Sequence, residues 1–336
     1  MRNVVNDMEP GCPIHEFGDL ADATAVRRAG ELDLALSELF KDSWIDAKYR
    51  WGINPSTCTR RRDCWRIQLL SGGPLRWLAH DPTDLEGARE CLRRGATEAP
   101  ERVSIGSFAA GPHLLASHPL LTEDLRAAWH PDFDGRTLRG QTRAEFGTNA
   151  ATRIEASLRL LERIPGAAEI VDRHCAEIVL LAADPPLEPA TCISLTSKRV
   201  PGIVYMSDVP TILGAESILH ESAHLALMGL ESVVTLYKDP DMRVSTPLRS
   251  DPRPIAGLMH QVFVLLNLES MYRALPDIDQ PDVRRNLQQV IKRHSRHRAD
   301  LSDGFDALLA HKSTLTESGI AVLESWQDMF RTPRTR

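Results

Sequence analysis

Residues 214–230 read Gly-Ala-Glu-Ser-Ile-Leu-His-Glu-Ser-Ala-His-Leu-Ala-Leu-Met-Gly-Leu, an apolar segment with His220, Glu221 and His224 set into it. Its alanine and leucine content predicts a helix, on which residues four apart share a face. Both imidazoles then reach one metal ion, with Glu221 rotated off their line for hydrogen bonding or base work. The competing reading is two surface histidines on an ordinary helix. The Ile, Leu and Ala flanks argue against it, because they belong in an interior. The longer H-E-x-x-H-x-x-G-x-x-H pattern is absent, since Leu227 and Leu230 stand at its Gly and His places.

Upstream, 191–196 and 203–206 are short β-prone runs joined by a turn holding Pro201-Gly202. Downstream, 238–254 is rich in Asp, Pro and Arg and reads as a loop. A second long helix is expected from Pro254 to about Ala274, followed by helices over 282–300, 302–311 and 316–330. Toward the N-terminus, 22–40, 84–94 and 120–129 read as helices. The segment 153–181 reads as one or two helices broken at Pro165-Gly166. Residues 49–80 hold Trp51, Trp65, Trp77, a basic run and an expected turn at Ser71-Gly72-Gly73-Pro74. That stretch reads either as a packed Trp cluster or as part of a binding surface. The fold class expected is mainly α with a small β-hairpin beside the metal-binding helix. The expected division is an accessory or substrate-recognition region over 1–100 and a helical catalytic domain over 101–336.

The third metal ligand decides the chemistry. Glu231 follows His224 too closely to fold back. His260 stands in the apolar run Gly257-Leu258-Met259-His260-Gln261-Val262-Phe263 of the next long helix. It is either a ligand or a hydrogen-bonded core histidine. Glu269, the carboxylate alternative for a peptidase-like site, lies nine residues further on, about 180° around that helix, so the two are not expected on one ion. Before His260 stand Arg243, Arg249 and Arg253, on a segment stiffened by Pro247, Pro252 and Pro254. Arginine forks take carboxylates bidentately. The other reading is ion pairs with Asp239, Asp241 or Asp251. The run 293–298, Arg-His-Ser-Arg-His-Arg, reads as a solvated helix face.

The whole chain has 336 residues and formal charge −6, with no drive toward nucleic acid or anionic membrane. No run has the length of a membrane span, and the N-terminus lacks a signal-peptide core, so a cytoplasmic location is expected. The six cysteines are scattered and are not a disulfide framework.

Over about residues 190–275 the chain resembles the H-E-x-x-H-motif peptide-modification proteins of ribosomal peptide natural product biosynthesis. The stretches that carry this are Ser194-Leu195-Thr196, Pro201-Gly202, 220–225 and above all 245–260, Ser-Thr-Pro-Leu-Arg-Ser-Asp-Pro-Arg-Pro-Ile-Ala-Gly-Leu-Met-His; 315–319 near the end also fits. The resemblance implies an Fe(II)- and 2-oxoglutarate-dependent hydroxylase acting on the β-carbon of a peptide side chain. It implies His220, His224 and His260 as metal ligands and Arg249 or Arg253 for the cosubstrate carboxylate. The partner implied is a peptide, with or without a leader segment. The alternatives are a zinc metallopeptidase using Glu221 as general base and a non-catalytic peptide binder.

Overall fold

The computed structural model describes residues 14–331 except 52, 54–57, 59, 61–63, 98, 104, 106–111, 129–136, 148 and 185–191. It is mainly helical, 66% helix and 13% strand, an α-rich α+β chain. Helices α1 (Ile14–Phe40), α2 (Asp42–Trp51), α3 (Trp65–His80) and α4 (Leu85–Gly95) come first. Strands β1 (Arg102–Val103) and β2 (His113–Leu115), helix α5 (Pro119–Ala128) and strand β3 (Thr137–Gly140) follow. Helices α6 (Ala150–Glu162) and α7 (Ala167–His174) lead into β4 (Glu177–Asp184). The hairpin of β5 (Ser194–Thr196) and β6 (Ile203–Ser207) precedes α8 (Thr211–Glu231). Then come β7 (Arg243–Thr246), β8 (Arg249–Pro254), α9 (Ile255–Ala274), α10 (Pro281–Arg285), α11 (Leu287–Ala310) and α12 (Glu317–Arg331). Among the described residues no helix is long and apolar enough to cross a membrane.

Two compact units are present. One holds Asp22–Leu225, the other Ala226–Arg336 with the chain up to Ala21. In the first, the strand order is β1-β2-β4-β6-β5, with β3 also on β4. β4 pairs in parallel with β2 and β6 and antiparallel with β3. One core joins Phe40, Trp44, Trp51, Trp65 and Leu92 of the early helices to Leu115, Val179 and Tyr205 of the sheet. Trp51 and Trp65 are therefore packed, as the Trp-cluster reading expects.

The expected hairpin is present, with Leu195 opposite Tyr205 and Gly202 at φ 97° in its turn. A left-handed turn residue of this kind favours glycine. The Gly202 carbonyl accepts from the Ala176 and Glu177 amides, which ties the turn to the head of β4. Four local expectations are corrected. Residues 177–181 are strand, not helix, because a short apolar run buried on both faces has no periodicity to separate the two. The expected turn at 71–74 lies inside α3, where Pro74 is an interior residue. Burial of Ile67, Leu69 and Leu70 there outweighs the local turn preference. The 238–254 loop contains the two-stranded β7–β8 hairpin, its prolines lying on β8 or in the turn. A two-stranded ribbon tolerates such prolines because its outer edge needs no ladder. Ser302 does not start a new helix either, since α11 runs through it.

Close approach fixes α8 in the first unit. A Cβ on Gly214 would lie 2.4 Å from Ser157 Oγ of α6. Ser157 in turn donates to Thr211 O at 2.9 Å, at the first residue of α8. Arg153 of α6 makes a fork to Asp208 just before it. In the second unit α9 and α11 pack together, and Phe263 stacks on Trp326 of α12 at 4.8 Å.

Candidate metal centre

α8 is unbroken through its histidines, as the apolar pattern predicts. One turn apart, His220 Nε2 and His224 Nε2 are 3.2 Å from each other. Two nitrogens at that separation subtend about 100° at an ion about 2.1 Å from each, between the octahedral and tetrahedral angles. The His220 side chain is 39% exposed and Glu221 only 3%, so the pair opens to water while the acid is sealed in.

Glu221 Oε1 accepts from Ser194 Oγ of β5 at 2.7 Å and lies 3.8 Å from His220 Nε2. Burial raises its pKa to about 7, opposed by the Ser194 bond. Cys192, two residues before Ser194, contacts Ser217 at 2.9 Å, one helical turn before Glu221. Alternate residues of the 192–194 segment thus meet successive turns of α8. Spacing in the sequence gave no signal for this contact. Among the described residues β5 has one strand neighbour, β6, and forms an edge of the sheet.

In the second unit, His260 sits on α9, 8% exposed, among Leu258, Met259 and Val262 as expected. Its Nε2 is 3.0 Å from Glu231 Oε1, and Tyr237 donates to that same oxygen at 2.7 Å. Burial and the adjacent Glu231 carboxylate hold the Tyr237 phenol above its ordinary range. The sequence carries no local signal that links Tyr237 and Glu231 to His260. Among the described residues no three His, Cys, Asp or Glu side chains form a ready metal cage.

Glu269, the carboxylate alternative for the third ligand, is buried in a different cluster. It faces His294 at 3.3 Å, Arg298 at 3.6 Å and Arg273 at 3.8 Å. His297 stacks against Tyr272, with 5.2 Å between ring centroids. The 293–298 run is therefore not simply a solvated face: part of it packs on α9, drawn by the buried carboxylate.

The arginines separate. Arg243 donates to Pro252 O at 2.9 Å and braces the hairpin. Arg253 is half-buried, in register with the buried Val244. Among the described residues it makes no ion pair to Asp239, Asp241 or Asp251. Arg249 lies on β8, and its side chain falls outside the described residues. Neither a protein-family model nor a curated protein matches the chain.

Proposed function

We propose that this chain is an Fe(II)- and 2-oxoglutarate-dependent hydroxylase of peptide side chains. The observation that carries it is the convergence of the His220 and His224 nitrogens on an exposed helical face beside a sealed Glu221. The donor set fits a divalent ion of borderline softness, which takes imidazole readily. When bound, iron with its cosubstrate supplies the oxidative chemistry. His260 is the third ligand in this reading, on the strength of the sequence resemblance. Arg253 is favoured over Arg243 for the distal carboxylate of 2-oxoglutarate. It is half-buried with no ion-pair partner described, whereas Arg243 is committed to its own hairpin.

The chain's own groups do the rest. Ser194 holds Glu221 against α8, where the acid can hydrogen-bond a ligand or a bound water and fix its orientation. The outer edge of β5 offers backbone groups to an extended peptide, which would run beside the histidine helix. The experiment is metal analysis of anaerobically purified protein, then a succinate assay with and without candidate peptides. Iron retention and peptide-dependent succinate support the proposal. Zinc retention with peptide-bond cleavage and no need for 2-oxoglutarate sinks it.

One observation favours a zinc metallopeptidase as the second reading. Glu221, raised to about 7, is poised for general-base work near neutral pH.

A further inference from the structure

Residues 315–319, Leu-Thr-Glu-Ser-Gly, have no part in the proposed chemistry, and the structure gives them one at a distance in sequence. Thr316 N donates to Leu236 O at 3.0 Å, and Thr316 Oγ1 donates to Thr235 O at 2.6 Å. Lys238 N donates to Thr314 O at 2.9 Å, and Tyr237 bridges to Leu315. A Cβ on Gly319 would lie 2.1 Å from Leu236 O, so only glycine allows this approach. The start of α12 thus pins the backbone of 235–238 from both sides of Tyr237.

Pinned there, Tyr237 is 7% exposed and donates to Glu231 Oε1 at 2.7 Å. His260 Nε2 lies 3.0 Å from the same oxygen. An ionised carboxylate only accepts, so the imidazole donates Nε2–H, and in the neutral form that a metal ligand requires its lone pair is on Nδ1. We infer that Glu231, held by Tyr237, is the positioning residue that orients His260 and fixes Nδ1 as its metal-facing atom. This rests on the reading that His260 is a metal ligand. A carboxylate behind a ligating histidine fixes ring and tautomer and raises the ring's basicity.

The test uses the full-length chain with Co(II) as probe, in competition with a chelator. Variants are His260→Ala, Glu231→Gln and Tyr237→Phe. ¹⁵N spectra of histidine-labelled, metal-free protein report the tautomer independently of activity. Expected are a large loss of affinity in His260→Ala, a loss of about 10- to 100-fold in Glu231→Gln, and a smaller one in Tyr237→Phe. The His260 Nε2–H tautomer should dominate in the parent chain and give way to a mixture in Glu231→Gln. If His260→Ala weakens Co(II) binding and Glu231→Gln does not, the positioning role is overturned and the ligand reading stands. If His260→Ala changes nothing, both fall. If Glu231→Gln loses as much as His260→Ala while the tautomer is unchanged, Glu231 is itself a ligand and the positioning role is overturned.

Discussion

Ser194 donates a 2.7 Å hydrogen bond to Glu221, from the edge strand of the sheet to the helix that carries the histidines. Glu221 is otherwise sealed from water, so this hydroxyl is central to the acid's local polarity. The two enzyme readings assign that acid different work. In a peptidase Glu221 moves a proton at each turnover, and Glu221→Gln costs several orders of magnitude in kcat with the metal retained. In the hydroxylase the same change acts through orientation, and turnover survives at a reduced rate. Single-turnover succinate formation by Glu221→Gln is the measurement. Its complete loss with metal in place counts against the hydroxylase.

A divalent ion that binds only the folded chain raises its stability. At about 100 times the dissociation constant the gain is about 2.7 kcal/mol. Thermal unfolding with and without Co(II) reads this directly. The increment should disappear in His220→Ala and in His224→Ala, whose rings form the 3.2 Å pair. An undiminished shift in either variant removes that histidine from the site.

Glu177 opens β4 fully buried, and burial raises its pKa from 4.5 to about 7 against the pull of Arg102 and Arg66. Between those two values the unfolded chain has released this proton while the folded chain still holds it. Stability therefore falls as pH rises from about 4.5 to 7, by about 3 kcal/mol from this group alone. Glu177→Gln lacks that component. Urea titrations across the window should show a flatter pH dependence in the variant. Parallel curves for the two proteins would contradict the assignment.

Arg253 faces the buried side of its hairpin and lacks an acidic partner among the described residues. Losing a charge-assisted fork to a carboxylate costs roughly 2–4 kcal/mol, or about 30- to 1000-fold in affinity. Arg253→Ala should weaken 2-oxoglutarate binding to the anaerobic Fe(II) protein by that factor, with metal content unchanged. Arg243→Ala should leave the constant alone and lower stability through its bond to Pro252. Titration of the metal-to-ligand absorption band measures both. Should Arg249→Ala carry the whole effect instead, the role passes to that residue.

Gly214 leaves room for Ser157 Oγ, which would stand 2.4 Å from any Cβ there. Gly214→Ala gains helix propensity yet displaces the Ser157 hydroxyl, which loses its bond to Thr211 O, and crowds Ser157 Cβ at 3.3 Å. The clash outweighs the gain, with a net loss of about 1–3 kcal/mol. Chemical denaturation checks the sign: stabilisation by alanine would mean the two helices yield at no cost.

Helix α8 was legible because its apolar, alanine- and leucine-rich run is too long for a strand and its histidines fall one turn apart. α9 was legible because its apolar run is too long for a strand, with Pro254 marking its start. The sheet was not. β1 and β2 are two and three residues long, too short to show alternation, and β4 is apolar on both faces. Contacts made between elements left no local trace. Ser194 meets Glu221 across 27 positions, and His260 meets Glu231 across 29. Such pairs follow from how elements pack, and a single sequence carries no period that announces them.

β4 has consequences for the rate at which the protein forms. It is bordered by β2 and β3 along one side and by β6 along the other, strands drawn from residues 113 to 207. Each pairing closes a loop of tens of residues before any hydrogen bond rewards it, which is slow compared with helix formation. Helix α8 can coil in microseconds, but the Ser194 and Cys192 contacts that dock it exist only after β5 has joined β6. The histidine pair therefore acquires its native surroundings late, and refolding followed by metal capture should lag behind refolding followed by helical circular dichroism.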